Sequence, residues 1–156
     1  MNHPIRLLFI VLIFVGTFFL WRQVNEPIQI VNDEQVVDQT TEAQIISDKG
    51  VELYLTTPKQ GSILTSPLVI SGEAPGTWFF EASFPVVLVD WDGLIISEGY
   101  VTAKDDWMTE DLVSFEGDLE FETPTMGKSG TLILRKDNPS DLPQNDDAAE
   151  VLIFFQ

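Results

Sequence analysis

The chain has 156 residues, which leaves room for one ordinary domain and an appendage. Its 25 acidic and 8 basic residues give a net charge of −17, which argues against binding to nucleic acid or anionic lipid, because both attract lysine and arginine. The absence of cysteine excludes disulfides, thiolate zinc sites, a cysteine nucleophile and the lipid-modified cysteine of a bacterial lipoprotein.

An uncharged apolar run, LLFIVLIFVGTFFLW, occupies residues 7–21, and twelve of its fifteen residues are Leu, Ile, Val or Phe. A soluble domain would have to cover every side of such a helix, so residues 1–24 are predicted to form a single transmembrane helix. A cleaved signal peptide is the alternative, but no small-x-small cleavage site closes the run. We therefore expect a retained anchor in the cytoplasmic membrane, single-pass, with the C-terminal domain extracytoplasmic.

Residues 25–50 differ in character from the segments on either side. They include six acidic residues and Pro27, and they contain no aromatic residue. Short apolar pairs such as Val36-Val37 and Ile45-Ile46 cannot build a core. An acidic, flexible linker is predicted here.

From residue 51 onward the hydrophobic pattern has a period of two, with turn residues every eight to twelve positions. In the clearest strand, Phe115, Leu119 and Phe121 share one face, and acidic residues fill the other. Residues 51–156 are therefore predicted to form an all-β, immunoglobulin-like antiparallel sandwich of about seven strands. A small barrel is the alternative. The predicted strands are 51–57, 68–73, 84–89, 94–100, 115–121, 131–135 and 151–155.

Three stretches of this domain carry a family resemblance. They are TPKQGSILTSPLVISGEAPGTWFFEASFPVVLVDWDG at 57–93, DDWMTEDLVSFEGDLEF at 105–121 and GTLILRKDNPSDLPQNDDAAEVLI at 130–153. They resemble the Gmad-type immunoglobulin-like domain associated with bacterial spore germination proteins. The resemblance implies a bacterial extracytoplasmic module, often attached to a membrane anchor or to other domains, and it implies no enzymatic activity.

Few residues are arranged for catalysis. The only histidine, His3, precedes the membrane segment, which excludes a Ser-His-Asp arrangement in the exported domain. Glu81, Glu110 and Asp111 are the first candidates for a pair of hydrolytic carboxylates. A domain of this size with short loops has little room for a cleft, so no enzyme is predicted and no cofactor is expected.

The stretch DNPSDLPQNDD at 137–147 is the richest in oxygen ligands. Calcium takes six to eight such oxygens, and Asp137, Asp141 and Asp146 are the candidate metal ligands. The spacing is not that of an EF-hand. Because Asn, Asp, Pro and Ser are also ordinary turn residues, a purely structural loop is the alternative.

A binding site is predicted from Trp78, Phe79, Glu81, Trp107 and Asn138. Three aromatic residues in succession, 78–80, cannot all face one side of a strand, so the pattern leaves either a core role or a contact surface open. We expect Trp78, Glu81, Trp107 and the 138–146 loop to meet near one end of the sandwich. Glu81 should be partly buried there and accept hydrogen bonds from backbone amides of that loop. This cluster either only fixes the loops or also presents a partner surface.

Together these features predict a membrane-anchored, extracytoplasmic, non-catalytic binding or scaffolding module of the bacterial cell envelope. Its partner would be an envelope protein or a cell-wall polymer, and not nucleic acid. The alternatives are an enzyme that processes an envelope polymer through acidic residues and a calcium-dependent adhesion module.

Overall fold

Alternating apolar and polar side chains form nine strands in a computed structural model that describes residues 42–156. Within that range the only helical pieces are two 3-10 turns, Gly76–Trp78 and Pro143–Asn145. The described part of the chain is all-β, as predicted. The strands are β1 (Ala43–Ile46), β2 (Glu52–Thr57), β3 (Ile63–Leu64), β4 (Leu68–Pro75), β5 (Ser83–Asp90), β6 (Ile95–Ala103), β7 (Leu112–Leu119), β8 (Ser129–Arg135) and β9 (Ala148–Phe155).

The strands follow one another in the order β1-β2-β4-β7-β6-β5-β8-β9-β3. All neighbouring pairs are antiparallel except β3 and β9, which are parallel. Strands β6 and β7 pair through only two residue pairs, Thr102 with Glu116 and Ala103 with Phe115. At this short junction the sheet doubles back, so that β1-β2-β4-β7 forms one layer and β6-β5-β8-β9-β3 the other.

The hydrophobic core lies between the two layers and takes alternate residues from each strand. On β7, Phe115 and Leu119 are buried, whereas Glu116 and Asp118 are exposed. Phe84 of β5 meets Phe115 edge to face with ring centroids 5.0 Å apart, which joins the layers across the core. The alternation predicted for this strand is confirmed.

Two strands, β1 and β3, were not predicted. β1 lies within the segment predicted to be a linker, and it is ordered because its backbone pairs with β2 and Ile45 is buried in the core. The turn after β1 also reaches β9, where the Asp48 N–H donates to the Ala148 carbonyl over 2.9 Å. The 25–50 linker prediction is therefore wrong at its C-terminal end, and the folded part includes Ala43.

The predicted membrane segment, 1–24, lies outside the described residues. Within residues 42–156, no helix is long and apolar enough to cross a membrane.

The outer face of the first layer is acidic, as the alternation on β7 predicted. Tyr54 of β2 lies among carboxylates there, and its pKa is raised by the charge of Glu52, with smaller contributions from burial and from Glu42 and Glu73. On the same face Lys104 pairs with Glu116 at 2.5 Å, and this hydrogen bond raises the lysine pKa. This face therefore carries a negative field that would repel anionic partners.

Candidate functional site

One end of the sandwich gathers the segments that the sequence singled out. We call it the aromatic end; it consists of residues 76–82, 104–111 and 136–147. Gly76 is required where the first two segments meet, because a Cβ there would lie 2.3 Å from the carbonyl oxygens of Trp107 and Thr109. The Gly76 N–H donates to the Asp111 carbonyl over 3.0 Å. Backbone contact thus holds the 104–111 loop directly on the 3-10 turn.

Trp78 and Phe79, both predicted binding residues, are buried beneath this end, with 1% and 4% of their surfaces exposed. Both rings pack edge-on against Phe84, at centroid distances of 5.9 and 5.0 Å. Phe80 is 42% exposed instead. Strict alternation fails here because residues 76–78 form a 3-10 turn rather than a strand. Trp78 and Phe79 are therefore the support of the site, and Phe80 is part of its surface.

Glu81 does not occupy the position predicted for it. It is exposed and makes no hydrogen bond with the 138–142 segment or with any other described residue. Phe80 and Ser83 exchange backbone hydrogen bonds of 3.0 and 3.1 Å, and Glu81 and Ala82 between them have positive φ values of 51° and 62°. This is the geometry of a type I′ hairpin turn, which points the carboxylate into solvent. The predicted burial of Glu81 is wrong.

Asn138 organises the third segment of the aromatic end. Its side-chain amide donates to the Leu142 carbonyl at 3.0 Å and to Asp146 Oδ1 at 2.7 Å, and its Oδ1 accepts from the Ser140 N–H at 3.3 Å. The backbone N–H of Asp137 donates to the Trp78 carbonyl at 3.0 Å. Trp78 is therefore joined to the residue that precedes the predicted 138–146 loop, and Asn138 is a structural centre of that loop.

The proposed metal ligands Asp137, Asp141 and Asp146 are not brought together as a ligand group. Nowhere in residues 42–156 do three or more acidic or histidine side chains cluster in a way that could hold a metal ion. Asp146 is engaged by Asn138, and Asp141 is exposed on a residue with φ 53°. The loop therefore fits the alternative, a purely structural loop built from turn residues.

Asp147 is an organising residue that sequence reasoning did not single out. Its carboxylate is buried and accepts from Ser47 Oγ at 2.9 Å and from the backbone N–H groups of Lys49 and Ala148 at 3.1 and 3.0 Å. A buried carboxylate with three donors fixes the β1–β2 turn against the start of β9. The only sequence signal for this role is that Asp147 directly precedes the alternating residues of β9.

Two open depressions lie on the aromatic end, on either side of Thr77 and Phe79. One, of about 330 Å³, runs between the 3-10 turn and Trp107, Met108 and Glu110. The other, of about 400 Å³, runs between Phe79 or Phe80 and residues 136–140 with Asn145. Met108 is 78% exposed beside the half-buried Trp107. The aromatic end is thus a shallow surface with apolar side chains on a packed aromatic base.

The carboxylates considered for hydrolysis do not converge on a cleft. Glu110 borders the first depression, while Asp111 Oδ2 accepts a hydrogen bond from Thr109 Oγ1 at 3.3 Å. Glu81 borders neither depression. All three are exposed, and only Glu110 lines either depression of the aromatic end, so the three do not form the facing pair of carboxylates that glycoside hydrolysis requires.

Two packed layers of mostly antiparallel strands over one hydrophobic core are typical of the immunoglobulin-like class of β-sandwich. Residues 51–142 match the Gmad2 family, described as the immunoglobulin-like domain of bacterial spore germination. The match spans more than half of the chain, which therefore belongs to this family. The resemblance noted in the sequence is confirmed. No curated protein and no solved structure matches the chain.

Proposed function

We propose that this protein is a membrane-anchored, extracytoplasmic, non-catalytic module that binds a partner in the bacterial cell envelope through its aromatic end. The observation that carries the proposal is the placement of exposed apolar side chains, Phe80 and Met108, on a rigid base of buried aromatic rings. The partner is an envelope protein or a cell-wall polymer.

The exposed apolar residues of the aromatic end differ from other exposed apolar residues because they lie on a rigid support. Phe79 and Trp78 are locked against Phe84, and backbone hydrogen bonds tie the 3-10 turn to Asp111 on one side and Asp137 on the other. Such a surface loses little conformational entropy when a partner binds. Aromatic side chains in well-packed surroundings are also those that contribute most to binding energy at interfaces.

The location is proposed from the sequence. The uncharged run at 7–21 is apolar enough for insertion, and the acidic residues that follow are easily exported. The family to which the chain belongs is described as a domain of bacterial spore germination, which gives an envelope role its context. No feature of the aromatic end favours hydrolysis over binding.

Loss of the exposed apolar groups should abolish partner capture. In the full-length chain, Phe80→Ser combined with Met108→Ser should lower recovery of cross-linked partner from envelope extracts by about tenfold or more, since central interface residues each contribute about 2 kcal/mol. The matched control is Phe154→Ser with Met126→Ser, because these side chains are comparably exposed, at 37% and 71%, at the opposite end of the sandwich. Equal recovery with both double variants, at unchanged melting temperature, would overturn the binding role of the aromatic end.

The proposed topology has its own measurement. Protease added to intact spheroplasts should remove the β-sandwich and leave a membrane-embedded stub, because the chain spans once with its amino terminus inside. Spheroplasts lysed before protease treatment serve as the control for protease access. A soluble mature form that begins after residue 21 would contradict the retained anchor.

A further inference from the structure

A second concavity lies on the outer face of the second layer and shares Lys136 and Asn138 with one depression of the aromatic end. It encloses about 470 Å³, and we call it the outer groove. Strand β5 forms its floor, β6 one wall, and the end of β8 with the 138–146 loop the other. The residues that carry the argument are Pro85, Val87, Glu98, Tyr100, Arg135 and Lys136.

One wall of the outer groove holds two neighbouring cations, Arg135 and Lys136, in an otherwise acidic protein. Arg135 and Lys136 are the only two basic residues adjacent to each other in the whole sequence. Arg135 lies outward because its neighbour Leu134 is buried in the core. Among residues 42–156 the single ion pair joins Lys104 to Glu116, so neither cation of the groove is held in a salt bridge. Both are available to a carboxylate, and the planar guanidinium suits bidentate contact.

Carboxylates line both walls of the groove. Glu98 on β6 is paired with Val87 on β5, and β8 lies on the other side of β5. Val87 pairs in turn with Ile133 of β8, and Arg135 lies two residues further along β8. Glu98 and Arg135 are therefore about 12 Å apart at the backbone. Asp141 and Asp146 add two further carboxylates from the loop. A multiply charged anion such as a polyphosphate would be repelled by these groups, whereas a ligand that carries its own positive charge would not.

An apolar platform joins the two charged walls. Tyr100 is 63% exposed and pairs directly with Pro85 across the β5–β6 ladder. Val87 points to the outside of the sandwich, yet only 7% of its surface is exposed, because the groove shelters it. A ligand with a small apolar side chain can therefore lie on Pro85 and Val87 against the phenol ring.

We propose that the outer groove binds a short peptide with a free amino and a free carboxyl terminus. The carboxylate lies at Arg135 and Lys136, the ammonium group at Glu98, and an apolar side chain on the Tyr100 platform. An extended chain advances about 3.3–3.6 Å per residue, so about three or four residues span the distance between Glu98 and Arg135. Asn138 preorganises the rim, because its amide holds Asp146 and the Leu142 carbonyl in place.

The test uses the full-length chain in a non-ionic detergent and the tripeptide alanine–leucine–alanine, with binding followed by isothermal titration. Arg135→Gln should weaken tripeptide binding by about tenfold, as expected for loss of a charge-assisted contact. Lys59→Gln is the matched control, since it removes an exposed cation that does not border the groove, and it should change nothing. Melting temperatures of all variants establish that the fold is retained.

Modified tripeptides test which wall of the groove binds each charged end of the peptide. The C-terminal amide of the tripeptide should bind about as weakly as the tripeptide binds to Arg135→Gln, and Arg135→Gln should not weaken the amide further. In the same way, Glu98→Gln should weaken the free tripeptide but not its N-acetyl derivative. Competition by isolated cell-wall polymer would indicate that the peptide is carried on a polymer, and its failure to compete would indicate a free peptide. The absence of saturable binding up to about 10 mM, or equal affinities of Arg135→Gln and Lys59→Gln, would overturn the proposal.

Discussion

Replacing Phe84 by alanine is expected to lower the free energy of unfolding by about 3–5 kcal/mol, the cost typical of a buried phenylalanine truncated to alanine. Phe84 is fully buried and makes edge-to-face contacts with Trp78, Phe79 and Phe115. Its loss would leave a cavity where the two layers meet and beneath the aromatic end. We therefore expect partner recovery to fall together with stability, as measured by chemical denaturation and by capture from envelope extracts.

Phe80→Ala provides the comparison for this variant. Phe80 is four residues away in sequence but 42% exposed, so its truncation should change the free energy of unfolding by less than about 1 kcal/mol while reducing partner recovery. The two phenylalanines thus separate support of the surface from contact with the partner. Similar losses of stability at Phe80 and Phe84 would show that the 3-10 turn packs differently from the arrangement described.

Leu119→Ala should destabilise the protein by about 2–5 kcal/mol, whereas Asp118→Ala should change its stability by no more than about 0.5 kcal/mol. Leu119 is 3% exposed and pairs with Leu68 of β4, whereas Asp118 pairs with Val69 on the acidic outer face. Adjacent strand residues point to opposite faces, so the pair reports the register of β7 directly.

Denaturation midpoints of the two variants, taken with unchanged denaturant dependence, give this comparison. Asp118→Ala is its own control for the effect of any substitution on β7. A reversed order, with Asp118→Ala the more damaging variant, would mean that β7 is shifted by one residue relative to β4, and equal destabilisation would mean that the alternation described for β7 is wrong.

The layered β fold was predictable from sequence because its signals are local. The alternation around Phe115 and Leu119 indicates one strand, and the Asp92-Gly93 pair, a typical hairpin signal, lies in the turn between β5 and β6. In that hairpin Asp90 Oδ1 accepts from the N–H groups of Asp92 and Leu94, both at 2.9 Å, and Gly93 has φ 80°. The strands that were missed, β1 and β3, are too short to show a period. β1 forms by pairing with the next strand, β2, and β3 by pairing with β9, which is distant in sequence.

The candidate site was predictable only in outline. Aromatic residues and a loop rich in turn formers indicated that Trp78, Trp107 and Asn138 would lie at one end, and the structure brings these segments together. The error at Glu81 has a specific cause. A type I′ turn is usually recognised in a sequence by Asn-Gly, but here Glu81 and Ala82 adopt positive φ values and neither is glycine. The outer groove could not be predicted from the sequence, because its walls come from β6 and β8, which are distant in sequence and are brought together only by their shared neighbour β5.

The way β9 is bordered has a consequence for how copies of this protein behave at high local concentration on a surface. An exposed strand edge is a template for unwanted strand addition and aggregation. Here the Gly61 N–H donates to the Leu152 carbonyl, the Phe154 N–H donates to the Ser62 carbonyl, and the Asp48 N–H caps the Ala148 carbonyl at the other end. Between these hydrogen-bonded positions, the exposed carboxylate of Glu150 places a negative charge on the strand. An incoming strand therefore meets few free backbone groups and a negative charge, which disfavours strand addition at this edge.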